Sequence, residues 1–548
     1  MNTQPPENIQ KQIDEMNARI QADPNRLSRD LSFEASCWES LNKGVSAKYE
    51  DHACTLTYLP EDGLCLQLCD FLLVRSYPCD NVSLDGELLT GMGRNGQTQW
   101  KIDDSLLKNF SILPPKNDVI INRCYVSQYN PSHESPLRTV LQFKGKNSPI
   151  TFFHFFCSSD EHEVGVIVDS SGSTSFVVTG IRFTYGGKDY LLYSYTDKSH
   201  ESNYIVIETN APVTWQAFLE VSRRILNVVG FFTGHFMFGP FLVFATKDKG
   251  DSELVGYENS LPPPCESLYL MTGLNPYWYF ASSDIDHSSF GSKEKSTQPE
   301  KLREKLTPYR KRHVEKLMEL LDDNDFSFLF YTLVENSMSQ HMRMATSRLI
   351  AYATCLEIGG NWFRKKAALE GKRAKADFLP VKIRDELTSR LQGNVDEYMK
   401  SLESMNQTGV DGNITDVLDK DAKTCLLDKL QIVRRRVKNE LFKQTNAEKL
   451  SSQFVENGIT LTDSEVELLD GRNRILHGAD AIKVPFEPEN PEPYIEVSER
   501  KCFEYYALIW RLIMHVIGYD GVYRDVAGIQ SSFRTHKSNN GAPFIRNV

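Results

Sequence analysis

The chain has 548 residues, 40% of them hydrophobic and 25% charged, with a net charge of −11. This is the composition of a globular protein with room for two or three sizeable cores. It excludes a chain too polar to fold, and the acidic balance excludes a basic coat for nucleic acid. The charge is unevenly spread: residues 1–299 carry 24 Lys and Arg against 36 Asp and Glu, and residues 300–548 carry 38 against 37. The second half therefore repels a polyanion less. Eleven cysteines at wide spacings point to reduced thiols and a cytoplasmic setting.

Residues 1–30 form a polar opening segment that lacks the apolar run of a secretory signal. Residues 31–285 read as a β-rich regulatory or sensor domain. "CTLTYL" (54–59), "LCLQLCDFLLV" (64–74), "ITFFHFFC" (150–157), "VGVIVD" (164–169), "FVVTGIRFTYGGKDYLLYSYT" (176–196) and "YIVIET" (204–209) are rich in β-branched and aromatic residues. "YGGKDY" is a hairpin turn between two such runs. Cys54, Cys65, Cys69 and Cys79 lie close together without a C-x2-C pair. Small hydrophobes of a β core account for them better than a zinc site does. His154, inside "FFHFF", reads as a core histidine. "GMGRNGQ" (91–97) lacks the Lys-Ser/Thr of a phosphate loop and reads as a turn.

A helix is expected at about 213–229. The uncharged run from Ile225 to Thr246 is long enough to span a bilayer, but Asn227, His235 and Gly239-Pro240 interrupt it. It reads as the end of a buried helix followed by a buried strand, and no membrane association is expected. Pro- and Ser-rich punctuation then marks a linker at 286–305. After it the apolar period becomes helical. Helices are expected at 301–323, at 326–360 with Gly359-Gly360 as the stop, at 379–392, at 415–444 and at 498–519. The fold class is therefore α+β multidomain: a β-rich domain, then an all-α bundle at 306–525 and a tail at 526–548.

The stretch "ELLDGRNRILHGAD" (467–480) carries the chemistry. Thr462-Asp463-Ser464-Glu465 fits a capping box, so a helix starts near 463 and Gly478 ends it. At about 100° per residue, with Leu468 at zero, Ile475 falls near −20°, Leu476 near 80° and Leu469 near 100°. Arg472, near 40°, lies in the middle of that apolar face, while Asn473 and His477 share a neighbouring face one turn apart. A buried guanidinium needs a carboxylate or a phosphate. Glu465, near 60°, is on the same side. Two readings stay open: a structural ion pair with an ordinary helix-end histidine, or an arginine held for a phosphate.

"RNRILHG", followed by the apolar helix "YYALIWRLIMHVIG", resembles the R-polar-x3-H motif and last helix of the HEPN family. "SRLIAYATCLEIGG" (347–360) is similar to that family's first long helix, and the two-part architecture is similar to ApeA-type anti-phage proteins. The resemblance implies a metal-independent endoribonuclease without cofactor, used to stop the host cell during phage infection. It implies catalytic roles for Arg472, Asn473 and His477, a supporting role for Glu357, and a homodimer or higher oligomer through the HEPN domain. RNA, with a tRNA loop as the family-level guess, is the implied substrate, and a phage-derived trigger the implied partner. The alternative is a bundle that dimerises and binds RNA without cutting. Among the basic runs, "RRRVK" (Arg434, Arg435, Arg436, Lys438) is the preferred phosphate-binding stretch. "RKKAALEGKRAK" (364–375) and "YRKRH" (309–313) read as solvated faces.

Overall fold

The structure is a computed structural model that describes residues 27–49, 52–59, 63–68, 88–91, 98–112, 115–143, 163–168, 174–197, 202–233, 235–237, 240–246, 252–259, 268–270, 310–338, 345–369, 381–404, 420–439, 450–451, 453–455, 457–476, 487–520, 522–524 and 545–547. The chain divides into two compact units, Met1–Met342 with Ile513–Val548, and Arg343–Leu512. The first unit is built on an antiparallel sheet and the second is helical.

The sheet strands are β1 (Leu27–Asp30), β2 (Val45–Tyr49), β3 (His52–Leu59), β4 (Gly63–Leu68) and β5 (Leu88–Gly91). There follow β6 (Thr98–Ile112), β7 (Pro115–Val126), β8 (Ser135–Phe143), β9 (Glu163–Val168) and β10 (Thr174–Tyr185). The set ends with β11 (Lys188–Asp197), β12 (Ser202–Val213), β13 (His235–Met237), β14 (Pro240–Thr246) and β15 (Ser252–Asn259). Fourteen of them form one sheet in the order β1-β9-β10-β11-β12-β8-β14-β15-β7-β4-β3-β2-β5-β6, and β6 also pairs with β7. The circuit β7-β4-β3-β2-β5-β6 thus closes on itself as a six-stranded barrel, which removes the edges an open sheet would leave.

Helix α1 (Ser32–Lys43) supplies Ala35, Trp38 and Leu41, and the Leu31 that precedes it joins them, in the core shared by the barrel and the adjoining strands. Trp38 Nε1 donates to the Val140 carbonyl at 3.1 Å, so the largest ring is oriented as well as buried. The same helix presents a buried carboxylate. Arg138 on β8 donates to Glu34 at 2.5 Å and to Glu208 on β12 at 2.8 Å. Tyr193 donates to Glu208 at 3.1 Å and Ser252 to Glu34 at 2.8 Å. One guanidinium serves two carboxylates, so helix and sheet are held in one register.

The "YGGKDY" turn is observed between β10 and β11, with Gly186 and Gly187 at φ +57° and +73°. Two successive positive φ values make the turn whose twist matches the strands, and glycine tolerates both. Residues 225–246 form the end of helix α2 (Trp215–Thr233), then β13 and β14. Among the described residues no helix is long and apolar enough to cross a membrane. Cys54 and Cys65 are buried in β3 and β4, and no group of His, Cys, Asp or Glu among the described residues could hold a metal ion. Cys69, Cys79, His154, residues 92–97 and the 286–305 linker lie outside the described residues.

Helices α3 (Lys311–Leu320) and α4 (Asn324–Met338) pack in the first unit. Thr184 N on β10 donates to Glu315 at 2.7 Å, and Tyr185 and Arg224 donate to Asp322 at 2.6 and 2.5 Å. The basic and apolar pattern of 301–323 reads as part of the helical bundle, but these polar pairs fasten it to the β10–β11 hairpin and α2.

The second unit holds α5 (Ala345–Leu369), α6 (Val381–Ser404), α7 (Lys420–Asn439), α8 (Asp463–Leu476) and most of α9 (Glu492–Val516). Of the helix expected at 326–360 the structure describes α4 and the start of α5, with 339–344 outside the described residues, and α5 runs straight through Gly359-Gly360. Gly360 serves close packing instead of termination. A Cβ there would lie 2.3 Å from Leu450 Cδ1.

His313, in "YRKRH", is a buried side chain, 1% exposed, and not part of a solvated face. Its Nδ1 accepts from Arg310 N at 3.0 Å and its ring meets Tyr519 edge-on at 5.7 Å. Burial and then the charge of Arg312 push its pKa down to about 4, against smaller opposing effects of Asp520 and the Gly518 carbonyl. The unfolded chain therefore binds the extra proton between about pH 6.5 and 4. The contribution of neutral His313 is complete above pH 6.5 and is lost as pH falls through 4, a change of up to about 3 kcal/mol. Urea titrations at pH 7 and pH 4.5 test this. The wild-type midpoint is expected to fall more steeply with acid than that of His313→Gln, and equal slopes contradict the assignment.

Candidate functional site

Helix α8 starts where its capping box places it. Glu465 N donates to Thr462 Oγ1 at 3.3 Å, and Thr462 N donates to Glu465 Oε2 at 2.8 Å. Leu468 and Leu469 are buried, and Ile475 and Leu476 half-buried. Gly471 lies within the helix, as the sequence implies.

Arg472 is 3% exposed, in the middle of that apolar face. Glu465, the carboxylate nearest to it by helical angle, is committed elsewhere. Arg511 on α9 donates to both Glu465 oxygens, at 3.1 and 3.2 Å, and also to the Thr460 carbonyl. The carboxylate facing Arg472 comes instead from α5: Glu357 Oε2 lies 4.0 Å from Arg472 Nη1. The side chain of Glu357 is 47% exposed. The pair is thus long, and open to water on the carboxylate side.

Tyr505 on α9 adds to the surroundings. Tyr505 OH donates to the Leu468 carbonyl at 2.8 Å, clamping α8 to α9. Burial raises the Tyr505 pKa, and the charge of Arg472 opposes the rise, which places the guanidinium close to that ring. Among the described residues the site thus includes a buried cation, a buried phenol and the half-exposed carboxylate of Glu357. In such surroundings an arginine interacts strongly with any anion that reaches it.

The structure brings together Arg472 and Glu357, which are 115 positions apart in the sequence. It places Asn473 on α8, but that side chain lies outside the described residues, as does all of His477. In "RRRVK", Arg434 makes a bidentate pair with Asp396 on α6, Nε to Oδ1 at 2.7 Å and Nη2 to Oδ2 at 3.1 Å. Arg435 is exposed, and the side chains of Arg436 and Lys438 lie outside the described residues. The sequence reading passes over Arg511, which takes the carboxylate nearest to Arg472. It also passes over Arg348, a second buried guanidinium, on α5 beside Cys502, whose Nε has no hydrogen-bond acceptor. Both lie in apolar helical runs, and a guanidinium in the middle of such a run is the signal that marks Arg472.

The Glu465–Arg511 pair is expected to behave as a coupled unit. Arg511→Met leaves a buried carboxylate and is expected to lower stability by about 3–5 kcal/mol. Adding Glu465→Gln is expected to recover part of that loss in urea unfolding, whereas strictly additive losses show that the two groups are uncoupled. No family model matches the sequence, and no curated protein or solved structure matches it either.

Proposed function

We propose that the helical unit is a metal-independent endoribonuclease of the HEPN kind, acting through Arg472, Asn473 and His477 in a homodimer. On this reading the protein is a cytoplasmic anti-phage defence factor, and the β-rich unit holds the nuclease off until a phage-derived trigger arrives. The observation that supports it is Arg472: a buried guanidinium whose facing carboxylate, Glu357, is 4.0 Å away and half in water. An incoming phosphate can take the place of such a partner far more easily than that of a tight buried pair.

The chemistry needs no metal. RNA carries its own nucleophile, the 2′-OH beside the scissile phosphate. A histidine titrating near neutrality takes that proton as the 2′-oxygen attacks phosphorus. The bond to the 5′-oxygen breaks, and an acid returns a proton to it. Arg472 stabilises the extra negative charge on the five-coordinate phosphorus. Asn473 orients the histidine or binds a non-bridging oxygen. One motif offers one histidine, whereas the step needs an acid and a base, so two copies of the chain supply the pair. A structured RNA with an exposed loop suits the step, because an unpaired nucleotide can swing its 2′-OH in line.

The Arg472–Glu357 pair also supports a second reading, a bundle that binds RNA or a second copy without cutting. Incubating the purified protein with total cellular RNA in EDTA, with and without phage lysate, separates the two. Wild type is expected to cut, and Arg472→Ala and His477→Ala to cut at least ~100-fold more slowly. A wild type that cuts nothing even with lysate contradicts the nuclease reading, and cutting abolished by EDTA contradicts its metal-free chemistry.

A further inference from the structure

Helix α5 opens on Ala345-Thr346-Ser347-Arg348, and Arg348 is buried, only 5% exposed. Its Nε is closed off from water and has no acceptor. Among the described residues the guanidinium makes no hydrogen bond and no ion pair. Arg511, by contrast, holds Glu465 and the Thr460 carbonyl, and Arg472 faces Glu357. The neighbouring sequence supplies no counter-charge: from Asn336 to Leu356 there is no Asp or Glu, and Arg343 adds a second cation. On α9 the buried thiol of Cys502 lies beside Arg348. Glu499, half-buried on α9, also acts on that thiol, but among the described residues it forms no ion pair with Arg348.

The start of the helix adds to the charge. The first four N–H groups of a helix have no partner within it, and its N-terminus carries about half a positive charge. No acidic residue stands in the first turn of α5 to offset this. Side chains of a helix lean towards its N-terminus, so Arg348, at the fourth position, reaches back over that turn. A guanidinium shut away from both water and counter-charge is costly, and the helix end repels it further. An anion bound there removes both costs at once. A phosphate group suits the place, because its oxygens accept from the planar guanidinium and from free helix N–H groups together. Ser347, next to Arg348, is exposed, so the first turn reaches solvent. The enclosure of Arg348 selects the kind of phosphate. A terminal phosphate enters such a site end-on, whereas an internal phosphodiester brings chain on both sides.

We propose that Arg348 and the N-terminus of α5 form a binding site for a terminal phosphate, free or carried by a nucleotide. Arg348 and Glu357 are nine positions apart, about 180° round the helix and ~13 Å along it, so this site is not that of Arg472. It does not depend on the nuclease reading. Calorimetric titration of the full chain, without RNA, with inorganic phosphate and with adenosine 5′-monophosphate tests it. Wild type is expected to bind at least one of the two at one site per chain, and binding of the nucleotide identifies a phosphomonoester as the ligand. Arg348→Met is expected to bind at least ~10-fold more weakly, the loss of a hydrogen bond between charged groups. Arg472→Met is expected to keep the wild-type affinity. Urea unfolding gives a second reading. Without phosphate, Arg348→Met is expected to be as stable as wild type or more so, and added phosphate to raise the wild-type midpoint alone. A wild type that binds neither compound at millimolar concentration overturns the proposal. So does wild-type binding by Arg348→Met, or its loss in Arg472→Met instead. A marked loss of stability in phosphate-free Arg348→Met also overturns it, since it shows that the fold itself uses the guanidinium. A failed cleavage assay leaves all these results untouched.

Discussion

The carboxylate of Glu465 organises the helical unit because it can neutralise one arginine, and Arg511 on α9 takes it. It closes the capping box with Thr462 and accepts two bonds from Arg511. That pair ties the start of α8 to α9, and the bond from Tyr505 to Leu468 ties the next turn. The helix is therefore held at its first two turns by α9. Arg472, two turns after Glu465, faces Glu357 on α5. A buried cation with a distant, half-solvated counter-charge is costly to keep in a fold that needs only stability. This cost is what supports the proposal that Arg472 serves a ligand.

Some of this was legible in the sequence, and particular residues show why. The capping box at 462–465, the apolar face of Leu468 and Leu469, and the burial of Arg472 follow from short-range spacing, and short-range spacing is what a sequence displays. The partner of Arg472 was not legible by angle. The wheel puts Glu465 on the same side, but it contains no information about Arg511, 46 residues later in another helix. Likewise Gly359-Gly360 reads as a stop because nothing local reveals Leu450, whose side chain occupies the space of the missing Cβ.

The sheet shows the same limit. The hairpin at Gly186-Gly187 was legible because its turn demands two positive φ values. The strand β6, fifteen residues of mostly polar sequence, was not. Its pairing with β7 shifts register at three places, so the alternation that marks a strand is broken each time. Pairing with β7 on one side and β5 on the other holds such a strand regardless of its pattern. The helical period alone places α3 and α4 in the bundle, yet Glu315 and Asp322 pair with the β10–β11 hairpin and α2. Period reports helix and says nothing about which unit the helix joins.

On the proposed function Arg472 serves an anion from outside the fold and not the fold itself. Equilibrium unfolding of Arg472→Met, set beside its affinity for an uncleavable 2′-O-methyl RNA, tests that most directly. Met conserves bulk and removes the buried charge. The account predicts stability within about 1 kcal/mol of wild type, or above it, together with at least a tenfold loss of RNA affinity. A loss of about 3–5 kcal/mol with unchanged RNA affinity contradicts it, because that is the signature of a structural ion pair with Glu357.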